Sequence, residues 1–147
     1  MYLHFMSVPT IYADVTGRCT AGRVLRAARR LTREYDDALR PAGLTIAQFG
    51  LLNAVGRFEP ESISELADLL ALDRTSLSRN LKPLEKAGLM FRGEEGSGRR
   101  RKLLLTTLGV RKLEEAYPLW QNVQDRLEGR LEAEGIDQLH SGLKRLR

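Results

Sequence analysis

The sequence holds a single cysteine, Cys19, so no disulfide can close within one chain. Its two histidines, His4 and His140, stand near opposite ends, and no His/Cys/Asp/Glu spacing suits a metal. No apolar run approaches the ~18 residues that a membrane span requires. Residues 1–15 lack a basic start followed by a long apolar block, so they do not read as a secretory signal. A Gly-x-x-x-x-Gly-Lys phosphate loop is missing, as is any Ser/His/Asp or Cys/His grouping. These absences disfavour a disulfide scaffold, a membrane protein, a metal-cluster protein and an enzyme. They name no catalytic residue, no metal site and no cofactor, and they suit a reducing cytoplasm.

What is present fits one compact domain, or one domain with a dimerisation arm. The 147 residues are 42% hydrophobic and 29% charged, which allows a sizeable core and argues against wholesale disorder. Lys and Arg number 24 against 19 Asp and Glu, a net charge of +5. From Asp73 to Lys102 nine basic residues face four acidic ones, so that one segment carries the whole excess. A surface built only for solubility would be mixed throughout. A localised excess is what a phosphate-binding surface needs.

Periodicity gives the organisation. Residues 1–17 show no clear period and read as an arm. Val24, Ala28, Leu31, Tyr35 and Leu39 mark one face of a helix over Thr20–Leu39, beside a stripe of Arg23, Arg26, Arg30 and Arg33. Pro41-Ala-Gly43 ends it. Thr45 with Gln48, and Ser62 with Glu65, have the spacing of capping boxes that open the next two helices. Asp73 caps a fourth, which carries Pro83 inside it and ends at Gly88. Leu89–Arg92 and Lys102–Thr106 are strand candidates around a glycine-rich turn and the basic run Arg99-Arg-Arg-Lys102, a hairpin with a basic far limb. A long helix over about 107–132 carries Leu113, Tyr117, Trp120, Val123, Leu127 and Leu131. Pro118 is expected to kink it, and Gly135 to break it before a last helix with Ile136, Leu139, Leu143 and Leu146.

Two short helices meeting at Ala71-Leu72-Asp73 have the spacing of a helix-turn-helix. Ala67 is small where they approach, and Leu66, Leu70, Leu72 and Leu77 are the expected core between them. The outer face of the second helix holds Arg74, Thr75, Ser76, Ser78, Arg79, Asn80 and Lys82. Arginine can bond guanine O6 and N7, asparagine can bond adenine N6 and N7, and hydroxyls can bond phosphates or bases. With the basic hairpin after it, the pattern is a winged helix: mainly α, with a small β-hairpin wing and flanking N- and C-terminal helices. Double-stranded DNA is the expected partner.

The stretch Leu72-Asp-Arg-Thr-Ser-Leu-Ser-Arg-Asn-Leu-Lys-Pro-Leu-Glu-Lys-Ala-Gly-Leu89 resembles the recognition helix of the MarR family of bacterial regulators. Gly43-Leu-Thr-Ile-Ala-Gln-Phe49 and Leu105-Thr-x-x-Gly109 resemble that family too, so the likeness runs over about residues 20–132. It implies a dimeric repressor or activator. About 45–107 would be the DNA-binding part, and about 10–40 and 108–147 the helical dimerisation part, of one domain over 1–147. It would bind a pseudo-palindromic operator and often respond to a small molecule or oxidant. The family's wing carries an Asp-x-Arg. Arg99 takes its arginine place and would enter the minor groove with Arg100 and Arg101 alongside, while Ser97 takes the place of the acid.

Two triggers follow as expectations. Phe49, Tyr117 and Trp120 are aromatic side chains suited to core packing or to a cleft for a small aromatic or phenolic effector, with Arg23 to pair an acid group. A peroxide-sensing branch of the family also carries a lone cysteine near the start of its first helix, and Cys19 resembles it, flanked by Arg18 and Arg23. Tyr35 matches one of that branch's tyrosines at a shifted interval, and Ile46 stands where a second would be. The alternative for Cys19 is an inert core residue.

Overall fold

The structure, a computed structural model, describes residues 7–93 and 102–146. It falls into two compact units, Met1–Glu34 and Tyr35–Arg147, with the boundary inside a helix.

The first unit is helical. α1 spans Val8–Arg18 and α2 begins at Thr20, running to Leu39 in the second unit. The aperiodic arm expected at the N-terminus is therefore in large part a helix. Val8, Ile11, Tyr12 and Val15 do form a helical stripe, but Thr10, Thr16 and Gly17 are weak helix formers and mask it. None of the α1 side chains is buried.

The second unit carries the core. Past α2, a short 3-10 turn over Arg40–Ala42 ends in Gly43 at φ 70°, a left-handed conformation that glycine adopts without Cβ crowding. α3 (Ile46–Phe58) opens with a complete capping box: Gln48 N–H donates to Thr45 Oγ, and Thr45 N–H donates to Gln48 Oε1. The Asp36 carboxylate takes the next free N–H, that of Ile46, at 2.7 Å. α4 (Ile63–Leu70) is capped by Ser62, whose Oγ accepts from Glu65 N–H. The second half of that expected box does not form. Glu65 Oε2 instead accepts from Glu61 N–H, one residue further back.

α5 (Arg74–Lys86) follows a turn in which Ala71 is left-handed, φ 52°. Leu66, Ala67, Leu77, Leu81 and Leu84 are buried, with Ile63 and Leu70 packed at the edge of the core. Leu72, expected in that core, is 41% exposed. The left-handed residue before it turns the chain out of helix register, with Leu72 N–H bonded back to Ala67 O. α5 closes as expected around Gly88, φ 70°. Leu89 N–H reaches Leu84 O and Gly88 N–H reaches Glu85 O, so two end carbonyls are satisfied.

β1 (Met90–Arg92) and β2 (Leu103–Leu105) pair antiparallel in the register Met90–Leu105, Phe91–Leu104 and Arg92–Leu103. α6 runs Thr107–Lys144. Its backbone stays helical at Pro118 and Gly135. The interruption falls at Glu132, φ 59° and ψ 165°, three residues ahead of the expected glycine. This is a mainly helical winged helix-turn-helix with a two-stranded hairpin. Among the described residues no helix is long and apolar enough to cross a membrane.

Candidate nucleic-acid interface

The site begins with a cap. Asp73 Oδ1 accepts the Ser76 N–H at 2.8 Å and fixes the start of α5. Hydrogen bonds from Ser76, through its hydroxyl and then its backbone N–H, hold the Asp73 carboxyl below its ordinary value. The charged form is therefore the capping form. Ser76, expected to face a groove, is half-buried and engaged with this cap.

Leu77, Leu81 and Leu84 seat α5 on the core, and the helical period decides where the rest face. Arg74, Thr75, Ser78, Arg79 and Lys82 line one concave surface together with Ile63 of α4. Asn80 is exposed but stands about 200° around the helix from Ser78, on the other flank, and is not part of that surface. Arg74, Arg79 and Lys82 make no ion pair among the described residues. Cations that no described carboxylate pairs are suited to attracting phosphate. Arg99, Arg100 and Arg101 lie outside the described residues.

Two other basic residues of the same segment are engaged. Arg92 Nε donates to Glu85 Oε1 at 2.8 Å, tying β1 to α5. Lys102 Nζ lies 3.2 Å from Glu59 and 3.9 Å from Glu61. Thr106 links the hairpin to α6: its hydroxyl donates to Gly88 O and accepts from Gly109 N–H, while its own N–H reaches Leu89 O.

A second feature lies between α3 and α6. Phe49, Trp120 and Tyr117 form a run of stacked rings, with centroids 6.1 Å and 5.9 Å apart. A cavity of about 370 Å³ beside them is lined by Phe49, Asn53, Leu113, Glu114 and Tyr117. Trp120 does not line it. It sits between the other two rings and packs against the core. Asn53 and Glu114 are lining residues that sequence reasoning missed. Asn53 follows Phe49 by one helical turn, which is the signal that was there to read. Arg23 belongs to the first unit, where its guanidinium donates to Gly17 O.

Cys19 is exposed in the single chain and is not packed in the core described above. Its Sγ accepts from Gly22 N–H at 3.3 Å at the start of α2. Tyr35 is buried and its hydroxyl donates to Gln124 Oε1 at 2.7 Å.

An exposed basic helix set second in a helix-turn-helix, with a hairpin directly after it, defines the winged helix-turn-helix class. The family model described as MarR family matches residues 42–101. The M. tuberculosis transcriptional regulator MosR is 32% identical, with a TM-score of 0.74 over 88% of this chain and 95% of its own; it has also been solved in complex with DNA. The transcriptional repressor CouR bound to p-coumaroyl-CoA is 26% identical, with a TM-score of 0.81 over 90% of this chain and 94% of its own. A curated HTH-type transcriptional regulator of Bacillus cereus is 29% identical over 96 residues, 65% of this chain and 64% of that protein. This chain thus spans a little under two thirds of the curated relatives it matches. The chain belongs to the MarR family.

Proposed function

We propose that the protein is a sequence-specific DNA-binding transcriptional regulator that works as a homodimer and represses until an effector releases it. The observation that carries this reading is the concave face of Arg74, Thr75, Ser78, Arg79 and Lys82, cationic and without ion pairs among the described residues. About 45–107 serves as the DNA-binding part, with about 10–40 and 108–147 as the dimerisation part. Arg79 and Arg74 are the groove-reading candidates, Thr75, Ser78 and Lys82 the phosphate candidates, and Asn80 a contact from the opposite flank. Arg99, Arg100 and Arg101 stay assigned to wing contacts on sequence grounds. The solved DNA complex of MosR supports the partner.

Selecting duplexes from a random pool tests this directly. The expected product is a pseudo-palindrome with half-sites about 10 bp apart. Arg79→Ala should lower the preference for one base position at a cost of roughly 1–3 kcal/mol. Arg99→Ala should weaken all duplexes more evenly and flatten the salt dependence. Unselected binding that both substitutions leave intact removes the assignment.

The effector reading rests on the cavity between α3 and α6. Its ring face suits an aromatic compound, and Glu114 with Asn53 suits a hydroxyl donor such as a phenol better than a bare acid. Such a ligand releases DNA only through different affinity for the DNA-competent and incompetent arrangements. Trp120 is the one tryptophan, stacked against two lining rings, so its emission should report phenol binding, and Tyr117→Ala should abolish the change. The alternative trigger is oxidation of the exposed Cys19, through a mixed disulfide with a small thiol or a bond between subunits. If Cys19→Ser abolishes release by an organic peroxide, oxidation replaces the phenol as trigger.

A further inference from the structure

The basic run Arg99–Lys102 reads as four equivalent cations, but its last member is placed differently. Lys102 is 27% exposed and its ammonium faces two carboxylates, Glu59 Oε2 at 3.2 Å and Glu61 Oε1 at 3.9 Å. Its backbone is engaged as well, since Lys102 O accepts Gly93 N–H at 2.7 Å and closes the hairpin root. The next residue, Leu103, donates its N–H to Pro60 O at 2.9 Å. Three consecutive residues of the α3–α4 turn, Glu59, Pro60 and Glu61, thus hold two consecutive residues at the start of β2.

The turn is itself held in shape. Pro60 is fully buried, and Glu59 is left-handed at φ 43°. Glu61 N–H is bonded by Glu65 Oε2, and Glu65 N–H by Ser62 Oγ, both in the first turn of α4. A connected path therefore runs from the capped start of α4, the first helix of the helix-turn-helix, to the root of the hairpin.

We propose that Lys102 is a positioning residue: anchored by Glu59 and Glu61, it sets where the wing leaves the domain relative to α4 and α5, and does not itself contact phosphate. This rests on the DNA-binding reading above. Charge alone predicts the opposite sign for the acids. Glu59 and Glu61 sit at the base of a basic hairpin, so removing two negative charges should tighten binding to a polyanion. If they act as the anchor, removing them weakens it.

The experiment compares Glu59→Gln/Glu61→Gln, Lys102→Gln and the triple variant by two readouts. Without DNA, NMR hydrogen exchange at the Leu103 amide reads the anchor. With the operator duplex selected from the random pool, affinity against salt reads the contact. The acid double variant should exchange Leu103 faster and bind the operator more weakly, each about three- to tenfold, as two partly exposed ion pairs allow. In the Lys102→Gln background the same acid substitutions should no longer weaken binding. Lys102→Gln should leave the salt slope unchanged, whereas losing a phosphate contact lowers it by about 0.9. Unchanged Leu103 exchange, tighter or equal operator binding by the acid variant, or a reduced slope in Lys102→Gln overturns the inference. Failure of the unsubstituted protein to bind any duplex removes the DNA-binding reading, while Leu103 exchange still reports on the anchor.

Discussion

At the scale of single residues, two glycines show how closely the hairpin is packed. A Cβ on Gly109 would lie 1.9 Å from the Leu89 carbonyl oxygen, a backbone atom fixed by its bond from Thr106 N–H. A Cβ on Gly56 would lie 2.8 Å from Leu105 Cδ1, the tip of a side chain that can rotate away. Both glycines are helical, so alanine gains about 0.5–1 kcal/mol in propensity at each. At Gly109 the clash must move backbone. Gly109→Ala should cost at least the roughly 1–3 kcal/mol of an overpacked core, while Gly56→Ala should be close to neutral. Urea denaturation of the two variants checks this, and equal midpoints would refute it. The Thr106-x-x-Gly109 pattern was visible in the sequence, but its reason was not. The glycine is demanded by Leu89, a residue distant in sequence that only the fold brings near.

At the scale of the element, α5 is where sequence periodicity told most. The cap, the buried Leu77, Leu81 and Leu84, the closing Gly88 and the cationic face were all legible, because each is set by spacing along one helix. The role of Ser76 and the placement of Asn80 were not. A run of polar residues reads as one outer face until the core fixes the helix's rotation, and then Ser78 and Asn80 part company. The cap also gives a pH dependence. The Asp73 carboxyl lies below its ordinary value in the folded state, so its stabilisation is fully present above the ordinary carboxylate range. It is lost as pH falls through the lowered value. Asp73→Asn keeps an oxygen acceptor for Ser76 N–H but does not titrate. From about pH 5 downward, thermal melts of the unsubstituted protein should lose more stability than those of Asp73→Asn. Parallel curves would show that another carboxylate governs the acid limb.

At the scale of the whole molecule, what the sequence could not supply is assembly. The leucines beyond Glu132 were legible as an apolar stripe, but periodicity does not say what covers them. Leu139 and Leu143 are exposed at 39% and 45%, and Leu146 is more exposed still. In the first unit, Val8, Ile11, Tyr12 and Val15 lie along one side of a helix with no buried residue. Apolar stripes of this kind, rimmed by charge, mark association surfaces. The proposed homodimer would let an 8-residue and a 13-residue helix discriminate a site more sharply, since two half-sites read together multiply discrimination. Leu139→Asp/Leu143→Asp places two charges on the C-terminal stripe without touching the winged-helix core. Sedimentation velocity at micromolar protein should show dimer for the unsubstituted chain and monomer for the variant. Operator affinity should fall by a hundredfold or more on the scale of about 10²–10⁴ that bivalency supplies, while the far-UV circular dichroism stays helical. A variant that remains dimeric would move the interface away from the C-terminal leucines. A monomer that keeps full affinity would show that one recognition helix suffices.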